Sequence, residues 1–147
     1  MRRITLEIQR TLDLGASRPH RRLFLYRLLA RVRFRTPRGW SDYHVAIVDT
    51  GAPYSVLPLS LWPALRVERL LKLPLRGIIP GKSAELSADL ARVSSQLLDA
   101  KRFSPTLFLW AMLAPTDQVP LILGWFGCLD RAKLALDSKR HFAWLEF

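Results

Sequence analysis

A lone cysteine, three scattered histidines and the lack of any long apolar run set the first limits on this 147-residue chain. Cys128 has no partner within the chain, so no intrachain disulfide is expected, which suits a reducing cytoplasm. His20, His44 and His141 show no metal-ligand spacing with it, so neither a metal nor another cofactor is expected. No stretch approaches the ~20 consecutive apolar residues of a membrane helix. The most apolar run, Leu107 to Leu113, has the length of a buried strand. Near the N-terminus, Glu7, Gln9 and Arg10 interrupt what would be the apolar middle of a signal peptide. Together these features predict a cytoplasmic protein without a membrane span.

Acidic residues are scarce where basic ones crowd. The first 40 residues hold 11 Arg, no Lys, and only Glu7 and Asp13 as carboxylates, so most of the formal +11 resides there. A local basic block suits nucleic acid, acidic lipid or an acidic partner. The simpler reading is a solvated strand face in a chain rich in arginine codons, and it outweighs the functional one.

What is present reads as β-structure. At 50% hydrophobic residues, the chain is long enough to bury the core of one domain. From Leu28 to Arg35, Leu28, Ala30, Val32 and Phe34 alternate with Arg31, Arg33 and Arg35, the period of a half-buried strand. Thr36-Pro37-Arg38-Gly39 supplies turn chemistry. Tyr43 to Val48 is mostly apolar and reads as a strand buried on both faces, so the two segments predict a hairpin running into Asp49. Val93–Leu98, Thr106–Leu113, Val119–Leu123 and Phe142–Phe147 are further strand candidates. Pro63 is placed to open a short helix, and Phe126 to Leu134 has near-helical spacing. Trp62 and Trp110 read as core, His44 and His141 as structural, and Cys128 as a packed thiol on the helix.

Chemistry concentrates at Asp49-Thr50-Gly51-Ala52, directly after a buried strand. A carboxylate at the end of an apolar strand is costly to bury charged, so its position calls for an explanation. Thr50 offers a hydroxyl, Gly51 permits close approach of another chain, and Ala52 keeps the surroundings small. A plain turn, with Asp49 capping its own backbone, is the competing explanation of the tripeptide.

The extended run Ala46-Ile47-Val48-Asp49-Thr50-Gly51-Ala52-Pro53-Tyr54-Ser55-Val56-Leu57-Pro58 resembles the active-site segment of the retropepsin-like aspartic proteases. Leu121-Ile122-Leu123-Gly124, followed by Phe126-Gly127-Cys128-Leu129-Asp130-Arg131, resembles the family's second element, an apolar pair and Gly leading into a helix. The likeness is to the microbial single-domain members more than to the viral ones, and covers residues 23–147. It leaves residues 1–22 as a basic N-terminal arm.

The resemblance implies an all-β, closed-barrel acid-protease half with one or two short helices, active as a C2 homodimer on peptide or protein substrates. It implies Asp49 as the catalytic carboxylate, with Thr50, Gly51, Ala52 and Ser55 supporting the loop and Ile122, Leu123 and Gly124 forming the second motif. A flap is expected near Gly77, Ile78, Ile79, Pro80 and Gly81, where Pro80 departs from the usual flap. Only one Asp-Thr/Ser-Gly occurs, since Asp137-Ser138 is followed by Lys139 and Asp13-Leu14-Gly15 lacks the hydroxyl. One chain thus supplies half of a two-carboxylate site, and a symmetric dimer supplies the whole. Two other readings compete: a catalytically silent dimeric scaffold of the same fold, and a basic β-barrel that binds nucleic acid through the Arg-rich strand.

Overall fold

The computed structural model describes residues 1–75 and 86–147. The expected flap, Gly77 to Gly81, lies outside them. Among the described residues the chain is all-β, and its only helical turns are two 3-10 turns, Trp62–Ala64 and Leu129–Arg131. No helix of the described residues is long and apolar enough to cross a membrane.

The strands are β1 (Arg3–Leu12), β2 (Phe24–Thr36), β3 (Gly39–Trp40), β4 (His44–Val48), β5 (Ser55–Leu57) and β6 (Val67–Leu75). They continue with β7 (Leu86–Leu98), β8 (Leu107–Leu113), β9 (Ile122–Leu123), β10 (Lys133–Asp137) and β11 (Phe142–Glu146). Hydrogen bonding runs from β2 through β4, β9, β5, β8 and β7, and β7 pairs back onto β2, closing a ring of strands. Closure is possible because β2 is long enough to change partners. Its first half pairs with β1, its middle with β4, and Arg31 to Phe34 with β7. β6 extends β7 outside the ring, while β1, β11 and β10 continue from β2 as further antiparallel strands, β1 and β11 coming from opposite ends of the chain.

Alternation decides what is buried. Ala30, Val32 and Phe34 of β2 point into the main core with Ala46 and Val48 of β4, Val93 and Leu97 of β7, and Leu109 and Ala111 of β8. The hairpin of β2 and β4 forms as expected, pairing Leu29 with Ile47 and Val32 with His44. β4 is not buried on both faces, however: Val45, on the outer face of the ring, is 52% exposed. Trp110 likewise is not core. β8 sends Leu107, Leu109 and Ala111 inward and turns Phe108 and Trp110 to solvent.

The N-terminal segment departs from the arm expected of residues 1–22. β1 pairs Arg3–Leu6 with β11 and Glu7–Leu12 with β2, and Ile4 and Leu6 join the main core. Its alternating Ile4, Leu6 and Ile8 have a sheet face to cover, which an arm would leave in water. The helix expected over Phe126–Leu134 shrinks to the Leu129–Arg131 turn. Gly127 has φ of 81°, outside helical geometry, and Lys133 already begins β10 against β11. The strand expected from Val119 shortens to Ile122–Leu123, since Pro120 has no N–H to give a ladder.

One polar tie anchors β1 to the loop after β7. Asp99 accepts hydrogen bonds from the Thr5 N–H at 3.0 Å and from the N–H groups of Lys101 and Arg102 at 2.8 Å each. Burial pushes its carboxyl upward, but these three donors and the Arg102 charge outweigh it and hold the group below the usual aspartate value. A carboxyl depressed in the folded state stabilises fully above the unfolded value of about 3.9, and the contribution is lost as pH falls through the folded value. Acid titration followed by circular dichroism should therefore show stability declining below about pH 4, and Asp99→Asn should flatten that decline. An unchanged acid limb in Asp99→Asn would remove Asp99 from the account.

Candidate active site

The Asp49 loop is built where three short strands meet. β9 lies between β4 and β5, parallel to the first and antiparallel to the second. Ile47 and Val48 pair with Ile122 and Leu123, and the ladder runs one residue past β4, as the Asp49 N–H donates to the Leu123 carbonyl at 3.0 Å. This bond fixes the Asp49 backbone to a buried strand. Asp49 Oδ1 then accepts the Gly51 N–H at 2.8 Å, and the Ala52 N–H donates to the Asp49 carbonyl at 3.2 Å. The turn in which Asp49 caps its own loop is therefore present. It engages Oδ1 in a hydrogen bond within a segment whose Thr50 and Gly51 are exposed.

The second motif clamps this loop from beneath. Gly124 is buried, and its N–H donates to Ser55 Oγ at 3.1 Å, with Ser55 itself fully buried at the start of β5. The Trp125 N–H donates to the Ala52 carbonyl and the Phe126 N–H to the Pro53 carbonyl, both at 2.9 Å. The Trp125 indole N–H reaches the Thr50 carbonyl at 2.5 Å. Gly124 has to be glycine: a Cβ there would stand 2.5 Å from the Tyr54 carbonyl oxygen and 2.6 Å from that of Ala52. Residues 49–56 and 122–126 thus fold as one interlocked unit, joined through backbone groups that a side chain would force apart.

Each residue expected in the site, apart from the flap, belongs to this unit. Asp49, Thr50, Gly51 and Ala52 form the β4–β5 loop, Ser55 opens β5, Ile122 and Leu123 are β9, and Gly124 follows it. Trp125 clamps Thr50, a role that nothing in the local sequence announces. Beside it is an aromatic group, where Tyr54 stacks on Phe126 at 5.4 Å and Trp110 lies 6.0 Å beyond. These contacts join residues far apart in the chain, and no local spacing announces them.

The carboxylates of Asp130 and Asp137 are occupied in turns. Asp130 accepts the Gly127 N–H at 3.0 Å, and Asp137 accepts the Arg140 N–H at 3.0 Å while pairing with the Arg140 guanidinium. Cys128 is fully buried, and burial, with the Asp130 charge adding to it, pushes its thiol up to about 12. A thiol held neutral in this way is packing rather than a nucleophile. Among the described residues, no group of three or more His, Cys, Asp or Glu is placed to hold a metal ion. No protein-family model matches the chain, and no curated protein matches it.

Proposed function

We propose that the chain is an aspartic endopeptidase of retropepsin-like type, active as a C2 homodimer in which each protomer supplies one Asp49. The observation that carries this reading is the interlocked unit itself. Six hydrogen bonds and a buried Ser–Gly contact fix the placement of one short loop bearing a half-buried Asp49 beside exposed Thr50 and Gly51. A plain surface turn needs no such support. Gly51 has no Cβ, so a second copy of the loop has room to approach until the two carboxylates face each other.

In that arrangement the two Asp49 side chains share one proton, because like charges so close do not both ionise. The ionised carboxylate takes a proton from a water held between them, and that water attacks the peptide carbonyl carbon. The protonated partner donates to the developing oxyanion, and the first carboxylate then passes the proton it took from water to the amide nitrogen. As the gem-diol collapses, one of its hydroxyl protons returns to the partner carboxylate, the C–N bond breaks, and amine and acid leave. Thr50, beside Asp49, faces the partner loop and steadies the pair. The half-buried carboxylate and intact loop favour this reading over a silent scaffold of the same fold.

Digestion of a peptide library across a pH series tests the reaction type. Cleavage should peak at mildly acidic pH, where the pair holds a single proton, and fall on both sides. A rate rising steadily through pH 9 would contradict a shared-proton mechanism.

A further inference from the structure

We propose that the outer face of β6, β7 and β8 and the adjoining end of β2 form a binding groove for single-stranded nucleic acid, independent of Asp49 chemistry. Residues opposite one another in a sheet share a face. Glu68, Arg92 and Trp110 are so paired across β6, β7 and β8, with Ser94 and Phe108 paired one step along and Arg33 opposite Gln96 the step after. All of these project away from the core lined by Ala91, Val93 and Leu97.

Two cavities open on this face, of about 760 and 310 Å³, and they share Glu68, Arg92 and Phe108, so they form one continuous groove. Its basic groups are Arg35 and Arg66 at one end, Arg92 in the middle and Arg131 at the other. Glu68 and Asp130 are its acidic lining, and Asp130 is engaged by the Gly127 N–H. The rings alternate with these charges. Phe108 is 48% exposed, Trp110 39% and Phe126 49%. The Arg92 guanidinium lies 4.6 Å over Phe108, and at the Arg35 end of the groove Arg33 and Arg35 lie 4.9 and 5.4 Å over Trp40.

A row of cations tracks a phosphate backbone, and half-exposed rings and flat guanidiniums offer faces on which unpaired bases stack. A duplex keeps its bases paired and stacked internally, out of reach of rings set into a sheet groove. An acidic peptide would answer the charges and leave the rings without partners. Both features are satisfied together by a single strand.

Fluorescence anisotropy with a labelled oligothymidylate of about 12 nucleotides, at about 0.15 M salt, tests this directly. With four arginines engaged, the logarithm of affinity should fall against that of salt with a slope of about −3. Arg66→Glu with Arg92→Glu should weaken binding at least about tenfold and make the slope shallower by about 1.4. The distant pair Arg22→Glu with Lys139→Glu, both exposed, should change it less than about twofold. Trp110→Leu should lose about tenfold in affinity while keeping the salt slope, and Asp49→Asn should bind as the parent does. Circular dichroism confirms that each variant is folded. No saturable binding at this salt, equal losses from the two charge-reversal pairs, or displacement by polyglutamate at equal charge would overturn the proposal. The last result would assign the groove to an acidic polypeptide instead.

Discussion

Asp49→Asn should remove peptide hydrolysis entirely while leaving the fold intact. The amide has nearly the shape of the carboxylate and still offers Oδ1 to the Gly51 N–H, so the loop loses little. It cannot take a proton from water, so the reaction loses its base. The effect should also spread to chains that carry no mutation. If wild-type chains are re-equilibrated with a threefold excess of Asp49→Asn, about a quarter of them find a wild-type partner under random pairing. Activity per wild-type chain should therefore drop to about a quarter, where a monomeric enzyme would show none of this loss. Retention of most of the activity by the variant alone would assign the chemistry elsewhere in the chain.

Gly124→Ala should damage the structure of the site severely. The added Cβ would meet the backbone of Ala52 and Tyr54, and neither carbonyl can turn away without breaking its strand or loop. Overpacking against backbone costs about 1–3 kcal/mol and often more, so a loss of about 3 kcal/mol or above is expected in denaturant melts. Any protein that remains folded should have a displaced Asp49 loop and little activity. Ser55→Ala should be milder, at about 1–3 kcal/mol, because it strands the buried Gly124 N–H without moving backbone. If Gly124→Ala melts like the parent, the interlock does not have the rigidity ascribed to it.

Much of this site could be read before folding, for reasons that are local. The apolar run of β4 ending at Asp49, the hydroxyl at Ser55 and the Gly after Ile122-Leu123 all lie within two short segments, and their spacing carries their meaning. Trp125 is different. Its bond to the Thr50 carbonyl crosses 75 positions, and a lone Trp after Gly carries no sign of it. The basic strand shows the same division. The alternation of Arg31, Arg33 and Arg35 is plain in the sequence, whereas the rings beside them, Trp40, Tyr43 and Phe103, lie outside the strand and reach it only through the fold.

Three strands carry a weak sequence signal, each for a separate physical reason. In β1, Ile4, Leu6 and Ile8 alternate as a strand should, but the surrounding arginines gave the segment the look of a solvated arm. In β6, the alternation breaks at Leu70-Leu71, where the register against β7 slips between Arg69 and Leu71. A bulge of this kind erases the period on which strand recognition depends. In β10, Leu134 and Leu136 follow residues at helical spacing, and only the pairing with β11 shows which period prevails.

The central claim is that the active unit contains two Asp49 carboxylates from two chains. Specific activity measured during dilution, alongside mass by light scattering, tests it most directly. If the claim holds, activity per chain falls as the dimer mass falls, and the rate varies with the square of protein concentration in the dilute limit. Constant specific activity down to concentrations where scattering shows only monomer would contradict it.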